Sequence, residues 1–465
     1  MHTDYESFLN RKRQEGAMTG FAPTFLPDSL FDFQKHLVDW SVRKGRCALF
    51  EDCGLGKTLQ LLCYCQNIIE HTNKPALVLS PLAVAQQTVR EAEKFGIDAV
   101  RSPDGKFGGK RIVVTNYERL HFFDPNDFGG VVCDESSILK NFEGERKTRI
   151  TEFMRTVPYR LLCTATAAPN DYVELGTSSE ALGELGYMDM LAQFFKNDGK
   201  TLHIKGQKVG DFHKDKWRFK GHAELGFWRW VCTWAKACRR PSDLGFADGN
   251  FALPPLEYHT TTVRTDYEDP TRLFQIPAST LNEQRAERQR TIKQRCEAVR
   301  ALVADTKQPA IVWCDLNPEA DRLEKIIPGA VQVSGADSDD EKEDKFLRFI
   351  DGDIRVLVTK SSIGAFGLNF QHCAHMTFFP SHSYERHYQS VRRCWRFGQK
   401  KPVVVDVVMS EGEAEVMDNL RRKSEAADKM FAVLVQEMNN AAGTGRGAKS
   451  ELKPKVPTWL QSTKN

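Results

Sequence analysis

A glycine-rich stretch near the start of the chain contains the residue types that hold phosphate groups. Gly54 and Gly56 flank a leucine, and Lys57 and Thr58 follow, between a strand-like and a helix-like run. Glycines let backbone N–H groups turn towards a phosphate, and the following helix adds its positive N-terminus. Lys57 then suits the terminal phosphates, and the Thr58 hydroxyl suits Mg²⁺. This context favours a nucleotide-binding P-loop over a chance Gly-Lys-Thr turn, although Glu51 replaces the usual first glycine.

Two adjacent carboxylates, Asp134 and Glu135, follow another apolar run in "GVVCDESS". Ligands of α/β proteins bind at the carboxyl ends of parallel strands. We expect Asp134 to hold Mg²⁺, directly or through water, and Glu135 to orient and deprotonate the attacking water. An exposed acidic turn is the alternative, and the P-loop upstream favours catalysis.

Three arginines crowd into "QSVRRCWRFGQ", where no acidic residue neutralises them. Arg393 and Arg396 are three residues apart and share one face if the stretch is helical. An arginine from a second domain contributes about 10³ to 10⁵ in rate to phosphoryl transfer. We therefore expect both to reach the terminal phosphate held by Lys57. The alternatives are a solvated basic helix or a DNA-facing patch, and Arg392 is predicted to belong to such a patch.

The elements that must position these residues form two series of apolar runs. The first comprises "RCALF", "PALVLSP", "RIVVTNY", "GVVCDE" and "RLLCTAT", and the second "AIVWCD", "AVQVSG", "IRVLVT", "HMTFFP" and "PVVVDVV". Such runs, separated by amphipathic stretches, are typical of parallel strands buried on both faces. The sequence therefore predicts an α/β fold with two parallel sheets in tandem. Thr164 and Thr166 follow one predicted strand, and their hydroxyls are assigned to coupling between the sheets.

Changes in composition suggest the domain boundaries. We expect an N-terminal segment over 1–30, a first lobe over 31–252, a second lobe over 253–440 and a basic flexible tail over 441–465. About 177–250 is predicted to be an inserted subdomain, because it is rich in Gly, Lys, His and aromatic residues without a strand period. Its basic part suits phosphate contact and base stacking. For "FWRWVCTW" within it, a small subdomain whose aromatic side chains form a core of their own is favoured.

Whole-chain composition limits the class of protein. The 465 residues include 65 Lys or Arg against 62 Asp or Glu, so a nucleic-acid surface has to be local. The 12 cysteines are scattered as reduced core thiols are, without paired zinc knuckles. Neither a signal segment nor an apolar run of membrane length occurs. We expect a soluble intracellular protein, monomeric in its basic unit and without membrane contact.

In order and separation, the motifs resemble the Swi/Snf group of ATPases within helicase superfamily 2, in the compact DEAD/DEAH-like form of phage and bacterial genomes. "EDCGLGKT" is similar to "DEMGLGKT", "TATAAPNDYVEL" to "TGTPIQNNLxEL", "GAFGLNF" to "GGLGLNL" and "QSVRRCWRFGQ" to "QAxxRxHRIGQ". The resemblance covers about Phe31 to Met417. It implies two RecA-like lobes with ATP and Mg²⁺ in the cleft between them, and movement along duplex DNA without strand separation.

The resemblance also implies roles for single positions. Gln34, in "FDFQKHLVDW", corresponds to the residue that reads adenine, Gln389 to the first residue of the arginine motif and Gly367 to a coupling motif. Residues with hydrogen-bonding groups at predicted strand ends are expected to contact nucleic-acid phosphates: Ser80, Thr115, Asn116 and Asn369.

Some positions depart from the family pattern. "DESS" stands in place of "DEGH", so Ser137 replaces the histidine that couples the ATP state to DNA, and coupling is expected to run differently. "PSHSYERHY" replaces the phrase before the arginines, and Thr88 replaces a usual tryptophan. All residues required for hydrolysis are retained.

These observations predict an ATP- and Mg²⁺-dependent DNA translocase, stimulated by nucleic acid, in the cytoplasm of a bacterium or phage-infected host. Phage or host DNA-processing proteins are its expected partners. A strand-separating DNA or RNA helicase is one alternative. A nucleotide-gated clamp without productive turnover is another, motivated by Ser137.

Overall fold

The computed structural model describes residues 18–140, 144–168, 170–197, 203–204, 207–208, 217–264, 281–304, 307–364, 369–381 and 383–444. The described strands are β1 (Arg46–Glu51), β2 (Ala76–Ser80), β3 (Ala99–Arg101), β4 (Ile112–Asn116), β5 (Gly130–Asp134), β6 (Tyr159–Thr164), β7 (Phe195–Asn197), β8 (His203–Ile204), β9 (Gln207–Lys208), β10 (Trp217–Phe219), β11 (Ala235–Cys238), β12 (Leu256–Val263), β13 (Ala310–Cys314), β14 (Ala330–Val333), β15 (Val356–Lys360), β16 (His375–Phe378) and β17 (Val403–Ser410). The described α-helices are α1 (Asp32–Lys44), α2 (Lys57–Thr72), α3 (Leu82–Lys94), α4 (Glu145–Thr156), α5 (Leu175–Leu182), α6 (Tyr187–Phe194), α7 (Ala223–Trp234), α8 (Leu281–Arg290), α9 (Ile292–Ala304), α10 (Asn317–Ile326), α11 (Asp339–Asp351), α12 (Ser361–Gly364), α13 (Tyr384–Cys394) and α14 (Ala414–Thr444).

Seven parallel strands form the first sheet, in the order β11-β1-β6-β5-β2-β4-β3. Helices α1 to α3 cover one face, and α4 to α7 cover the other, so the central strands are apolar on both sides. The register pairs Phe50 with Thr164 and Asp134 with Cys163. The carboxyl ends of β1, β5 and β6 therefore lie side by side. They carry the P-loop, the acidic pair and the two threonines Thr164 and Thr166.

Six parallel strands form the second sheet, in the order β12-β17-β16-β13-β15-β14. Its cores contain side chains of α9 and α10 on one face and of α11 and α13 on the other. The two parallel sheets confirm the predicted α/β fold with tandem RecA-like lobes.

The range predicted as an insertion is partly integral to the first lobe, which differs from the expectation. β11 pairs in parallel with β1, and Trp228 and Trp234 of α7 are buried in the main core of this lobe. The aromatic side chains are buried as predicted, but the core is shared with the sheet. The sequence pattern missed both elements for a physical reason. The strand β11 has only four residues, and α7 is apolar on most sides, so neither shows a regular alternation of apolar and polar residues. Most of the basic part, with Phe212, lies outside the described residues.

The C-terminal helix α14 returns from the second lobe to the first. Its 31 residues span about 45 Å at 1.5 Å per residue. Phe431, Leu434 and Met438 join the core of the first lobe. Asp428 accepts an ion pair from Arg239 at 2.6 Å. The helix therefore ties the lobes together at a second place besides the linker before β12.

All twelve cysteines are free thiols, and only Cys232 is partly exposed. None of the helices within the described ranges is long and apolar enough to cross a lipid bilayer.

Candidate active site

The P-loop lies between β1 and α2, as the spacing predicts. Gly54 and Gly56 have φ of 90° and 78°, a left-handed conformation that glycine adopts without strain. The Lys57 ammonium donates to the backbone carbonyls of Glu51 at 2.8 Å and Asp52 at 3.1 Å. A phosphate oxygen would compete with these carbonyls for the same ammonium.

The acidic pair stands at the end of β5 in a strained conformation. Glu135 has a φ of 53°, and a non-glycine residue in the left-handed region costs about 1–3 kcal/mol. Its backbone N–H donates to the Asp134 carboxylate at 3.1 Å. Among the described residues, Oε2 of Glu135 is buried without a hydrogen-bond partner. Strain together with an unsatisfied carboxylate oxygen is typical of a functional position.

The electrostatics of this site come from acidic groups buried around Lys57. Burial and the neighbouring Glu135 raise the pKa of Asp134 to about 7, although Lys57 opposes this. Burial also raises the pKa of Glu51 to about 7, against Lys57 and a hydrogen bond from Gln60 at 2.7 Å. Burial alone would lower the pKa of Lys57, but the acidic groups around it outweigh burial and raise it. Several carboxylates around one ammonium form an oxygen-rich set that fits a hard divalent cation.

Glu91 is a further carboxylate of this site that the sequence did not predict. It accepts a hydrogen bond from Thr58 and lies near Arg396, yet burial still raises its pKa. Glu91 stands in the amphipathic helix α3, where a glutamate looks like any other surface residue.

Helix α13 of the second lobe packs directly against the P-loop. The Arg392 guanidinium forms an ion pair with Asp52 at 2.5 Å and donates to the Cys53 carbonyl at 2.9 Å. The Tyr388 hydroxyl donates to the same carboxylate. Arg392 is only 2% exposed. The prediction that Arg392 belongs to an exposed patch is therefore wrong, because Asp52 supplies the anion from 340 residues earlier in the chain.

The other two arginines are placed differently from the helical expectation. Helix α13 ends at Cys394, so Arg393 lies in its last turn and Arg396 in the turn that follows. A Cβ atom at Gly54 would lie 3.1 Å from the Phe397 nitrogen and 3.4 Å from the Arg396 Cβ. Burial and the charge of Arg393 lower the pKa of Arg396, so an anion between them would relieve the repulsion. The arginine segment thus lies against the P-loop.

The two glutamines differ in how far their amides are satisfied. Gln34 donates to the Leu55 carbonyl at 2.8 Å and accepts from the Phe31 nitrogen at 3.0 Å, which fastens α1 to the P-loop. Gln389 is 1% exposed, and its amide has no hydrogen-bond partner among the described residues. A buried amide without partners fits a ligand contact better than a structural role.

Three phenylalanines from both lobes meet beside Gln34. The ring centroids of Phe251 and Phe397 are 4.6 Å apart, and those of Phe31 and Phe251 are 5.0 Å apart. Phe31 is exposed, at 48% of its surface. These rings offer a flat aromatic ligand a stacking surface.

The coupling threonines lie between the acidic pair and α13. The Thr164 hydroxyl accepts from the Thr166 nitrogen at 3.1 Å, and the Thr166 hydroxyl reaches Glu385 of α13 at 3.5 Å. Glu385 also forms an ion pair with Lys140. The sequence did not single out Glu385 or Lys140. Gly367, predicted to take part in coupling, lies outside the described residues.

Most residues predicted to contact nucleic acid are buried. Ser80 and Thr115 are almost fully buried, and Asn116 accepts from the Arg119 nitrogen at 3.1 Å as the cap of a short 3₁₀ helix. Their burial disagrees with direct contact to phosphates, because neighbouring segments cover these strand ends. Asn369 is exposed and contacts Arg396.

No family model matches the chain. Similar curated proteins include the ATP-dependent helicase FUN30 of Saccharomyces cerevisiae, 28% identical over 178 residues, which are 32% of this chain and 15% of that protein. The DNA annealing helicase and endonuclease ZRANB3 of Mus musculus is 27% identical over 180 residues, 35% of this chain and 17% of that protein. The Zorya protein ZorD of Escherichia coli is 26% identical over 191 residues, 32% of this chain and 17% of that protein. The similarity thus spans less than a fifth of each relative.

Proposed function

The chain is related to the Swi/Snf-type ATP-dependent helicases, and from this premise we propose that it hydrolyses ATP to move along DNA, with duplex DNA favoured. The relationship supports an ATP-dependent enzyme that acts on DNA. The observation that carries the proposal is the packing of Arg396 and Phe397 against Gly54, since it brings the arginine segment of the second lobe to the glycine-rich loop of the first.

Each side chain of this site has a distinct task in the proposed reaction. Lys57 binds the terminal phosphates, and Arg393 and Arg396 stabilise the charge that develops during phosphoryl transfer. Glu135 orients the attacking water and accepts its proton. Its unsatisfied carboxylate oxygen supports this role.

Thr58 and Asp134 would hold Mg²⁺, which when bound neutralises charge on the phosphate oxygens. The oxygen-rich composition of the site supports this assignment. Gln34 and Gln389 would contact the nucleotide, and the unpartnered amide of Gln389 supports its part.

The proposal extends to the setting of the reaction. We place it in the cytoplasm of a bacterium or phage-infected host, with phage or host DNA-processing proteins as partners. A bacterial relative and twelve free thiols support this setting. One chain supplies both halves of the site, which supports a monomer as the basic unit.

Steady-state ATPase assays on the full chain test the proposal. We compare no nucleic acid, single-stranded DNA, duplex DNA, branched DNA and RNA at two salt concentrations. Duplex DNA should raise kcat most, and the stimulation should weaken steeply with salt, because backbone contacts release counterions. Absence of stimulation by every nucleic acid refutes the motor. A gel assay then separates translocation from strand separation, since only a helicase releases a free strand.

A nucleotide-gated clamp is the second candidate, motivated by Ser137, which stands where the family pattern has the histidine that couples the ATP state to DNA. Tight ATP-dependent DNA binding with negligible phosphate release would support the clamp over the motor.

A further inference from the structure

Glu385 connects three segments that belong to different parts of the proposed mechanism. It lies in the first turn of α13, and its side chain is 13% exposed. Its carboxylate pairs with Lys140 at the end of the 3₁₀ helix Ser136–Lys140, which directly follows Glu135. The same carboxylate lies 3.5 Å from the Thr166 hydroxyl. One carboxylate of the second lobe thus touches the segments after β5 and after β6 of the first.

Glu385 lies on the same helix as Arg393, so its contacts can influence the position of that arginine. Arg393 stands eight residues further along the same helix, about 12 Å at 1.5 Å per residue. Because Arg393 lies on this helix and Arg396 in the turn directly after it, a shift of Lys140 or Thr166 would change where both arginines stand relative to the P-loop.

Ser137 stands where the family pattern has a coupling histidine, so another contact has to link the ATP site to DNA. A serine has a short, uncharged side chain, and Ser137 is itself buried. A charged contact between the lobes is made instead by Lys140, three residues further on, with Glu385. Coupling between two sites needs an element that both sites can bias, and α13 has this property.

We propose that Glu385 is a positioning residue that couples DNA engagement to ATP turnover through Lys140 and Thr166. The inference rests on the proposed function, since it concerns how the DNA-bound state reaches the same site. The arginine segment already lies against the P-loop, so DNA is expected to adjust the position of its guanidiniums rather than to bring them there. When DNA moves one lobe against the other, the Glu385 contacts carry that displacement to α13.

The chain offers a matched control for this inference. Arg90 of α3 and Glu343 of α11 also form an ion pair between the lobes, at 2.5 Å, with side chains 57% and 42% exposed. Exposed pairs contribute at most about 1 kcal/mol. Neither residue contacts the segments after β5 or β6 in any of the described interactions. Glu343→Gln therefore removes an interlobe charge without touching the proposed route.

The experiment compares the full-length wild type with Glu385→Gln, Lys140→Met, the exchange Lys140→Glu/Glu385→Lys and Glu343→Gln. Two readouts are measured: the ratio of duplex-stimulated to basal kcat, and the factor by which a non-hydrolysable ATP analogue changes the Kd for a fluorescent duplex. We expect both single variants to lower each readout about fivefold or more. The KM for ATP should stay within about twofold, because P-loop contacts are retained. The exchange should restore most of the ratio, and Glu343→Gln should match wild type.

Distinct outcomes test the inference and the function separately. Wild-type stimulation that persists unchanged in Glu385→Gln and Lys140→Met overturns the coupling role and leaves the motor intact. A wild type without stimulation overturns the motor itself. If both single variants lower the readouts and the Lys140→Glu/Glu385→Lys exchange does not restore them, the pairing of these two residues is overturned. Thermal melting of each variant checks folding, and Lys140→Met perturbs the opposite lobe if Glu385→Gln fails to fold.

Discussion

Replacing Arg392 by Met tests whether the buried contact between α13 and the P-loop sets catalysis. Methionine keeps an apolar stem beside Trp395, whose ring centroid lies 4.7 Å from the guanidinium carbon. It removes the ion pair to Asp52 at 2.5 Å and the hydrogen bond to the Cys53 carbonyl at 2.9 Å. The change therefore removes charge and donors while preserving much of the packing.

The magnitude follows from the burial of both partners. Removing one partner of a buried ion pair costs about 3–5 kcal/mol, because the other charge is left without compensation. Asp52 keeps its hydrogen bond from the Cys53 nitrogen at 2.6 Å and its contact with Tyr388, so we take the lower end. About 3 kcal/mol is roughly 100-fold in the equilibrium between docked and undocked lobes. Since Arg396 reaches the phosphate only when docked, kcat should fall by up to about 100-fold.

The assay separates docking from nucleotide binding. We measure kcat and KM for duplex-stimulated ATP hydrolysis, and the Kd of a fluorescent ATP analogue. We expect the loss in kcat, while the Kd stays within about threefold because Lys57 and Thr58 are unchanged. Asp52→Asn in the same chain should relieve the unpaired charge and recover about tenfold of the lost kcat.

Arg90→Met serves as the control, because its ion pair with Glu343 is exposed and contributes at most about 1 kcal/mol. A kcat of Arg392→Met within about threefold of wild type would refute the reasoning. Equal losses in Arg90→Met would attribute the effect to interlobe charge in general.

Glu135→Gln should retain ATP binding and lower turnover by about 10² or more, since it removes the proton acceptor; phosphate release near the wild-type rate excludes Glu135 as the base. The raised pKa of Asp134, about 7, makes protons compete with Mg²⁺ below that pH. The Mg²⁺ concentration for half-maximal ATPase should therefore rise up to about tenfold per pH unit below pH 7 and stay level above it, and a flat profile contradicts the assignment. Phe397→Ala should raise the KM for ATP about threefold to tenfold through lost stacking, with unchanged KM as the contrary result. Phe431→Ala should lower the free energy of unfolding of the first lobe by about 3 kcal/mol, measured by urea denaturation, and an unchanged midpoint contradicts its role in that core.

Sequence patterns predicted the two sheets and the position of the P-loop for the same physical reason. Strands buried on both faces must be apolar throughout, and the polar residues that follow them must stand at the sheet edge. Lys57 and Asp134 are therefore recognisable from a few residues on either side. The register that brings Asp134 beside Cys163 follows from the parallel order of the strands.

Contacts between segments that are far apart in the chain could not be predicted from such local patterns. Arg392 looks like part of a basic surface until Asp52 is known to face it, and no local period relates positions so far apart. Glu385 and Glu91 resemble ordinary helical surface residues for the same reason. The burial of Ser80 and Thr115 was not predicted either, because a strand end does not by itself reveal which polar groups neighbouring segments cover.

The path of α14 has a mechanical consequence. Because α14 begins in the second lobe and packs into the core of the first, it limits how far the two lobes can separate. Together with the linker before β12, it leaves few directions in which the cleft can widen. In the proposed motor, the two lobes would then open and close along nearly the same path in each ATP cycle.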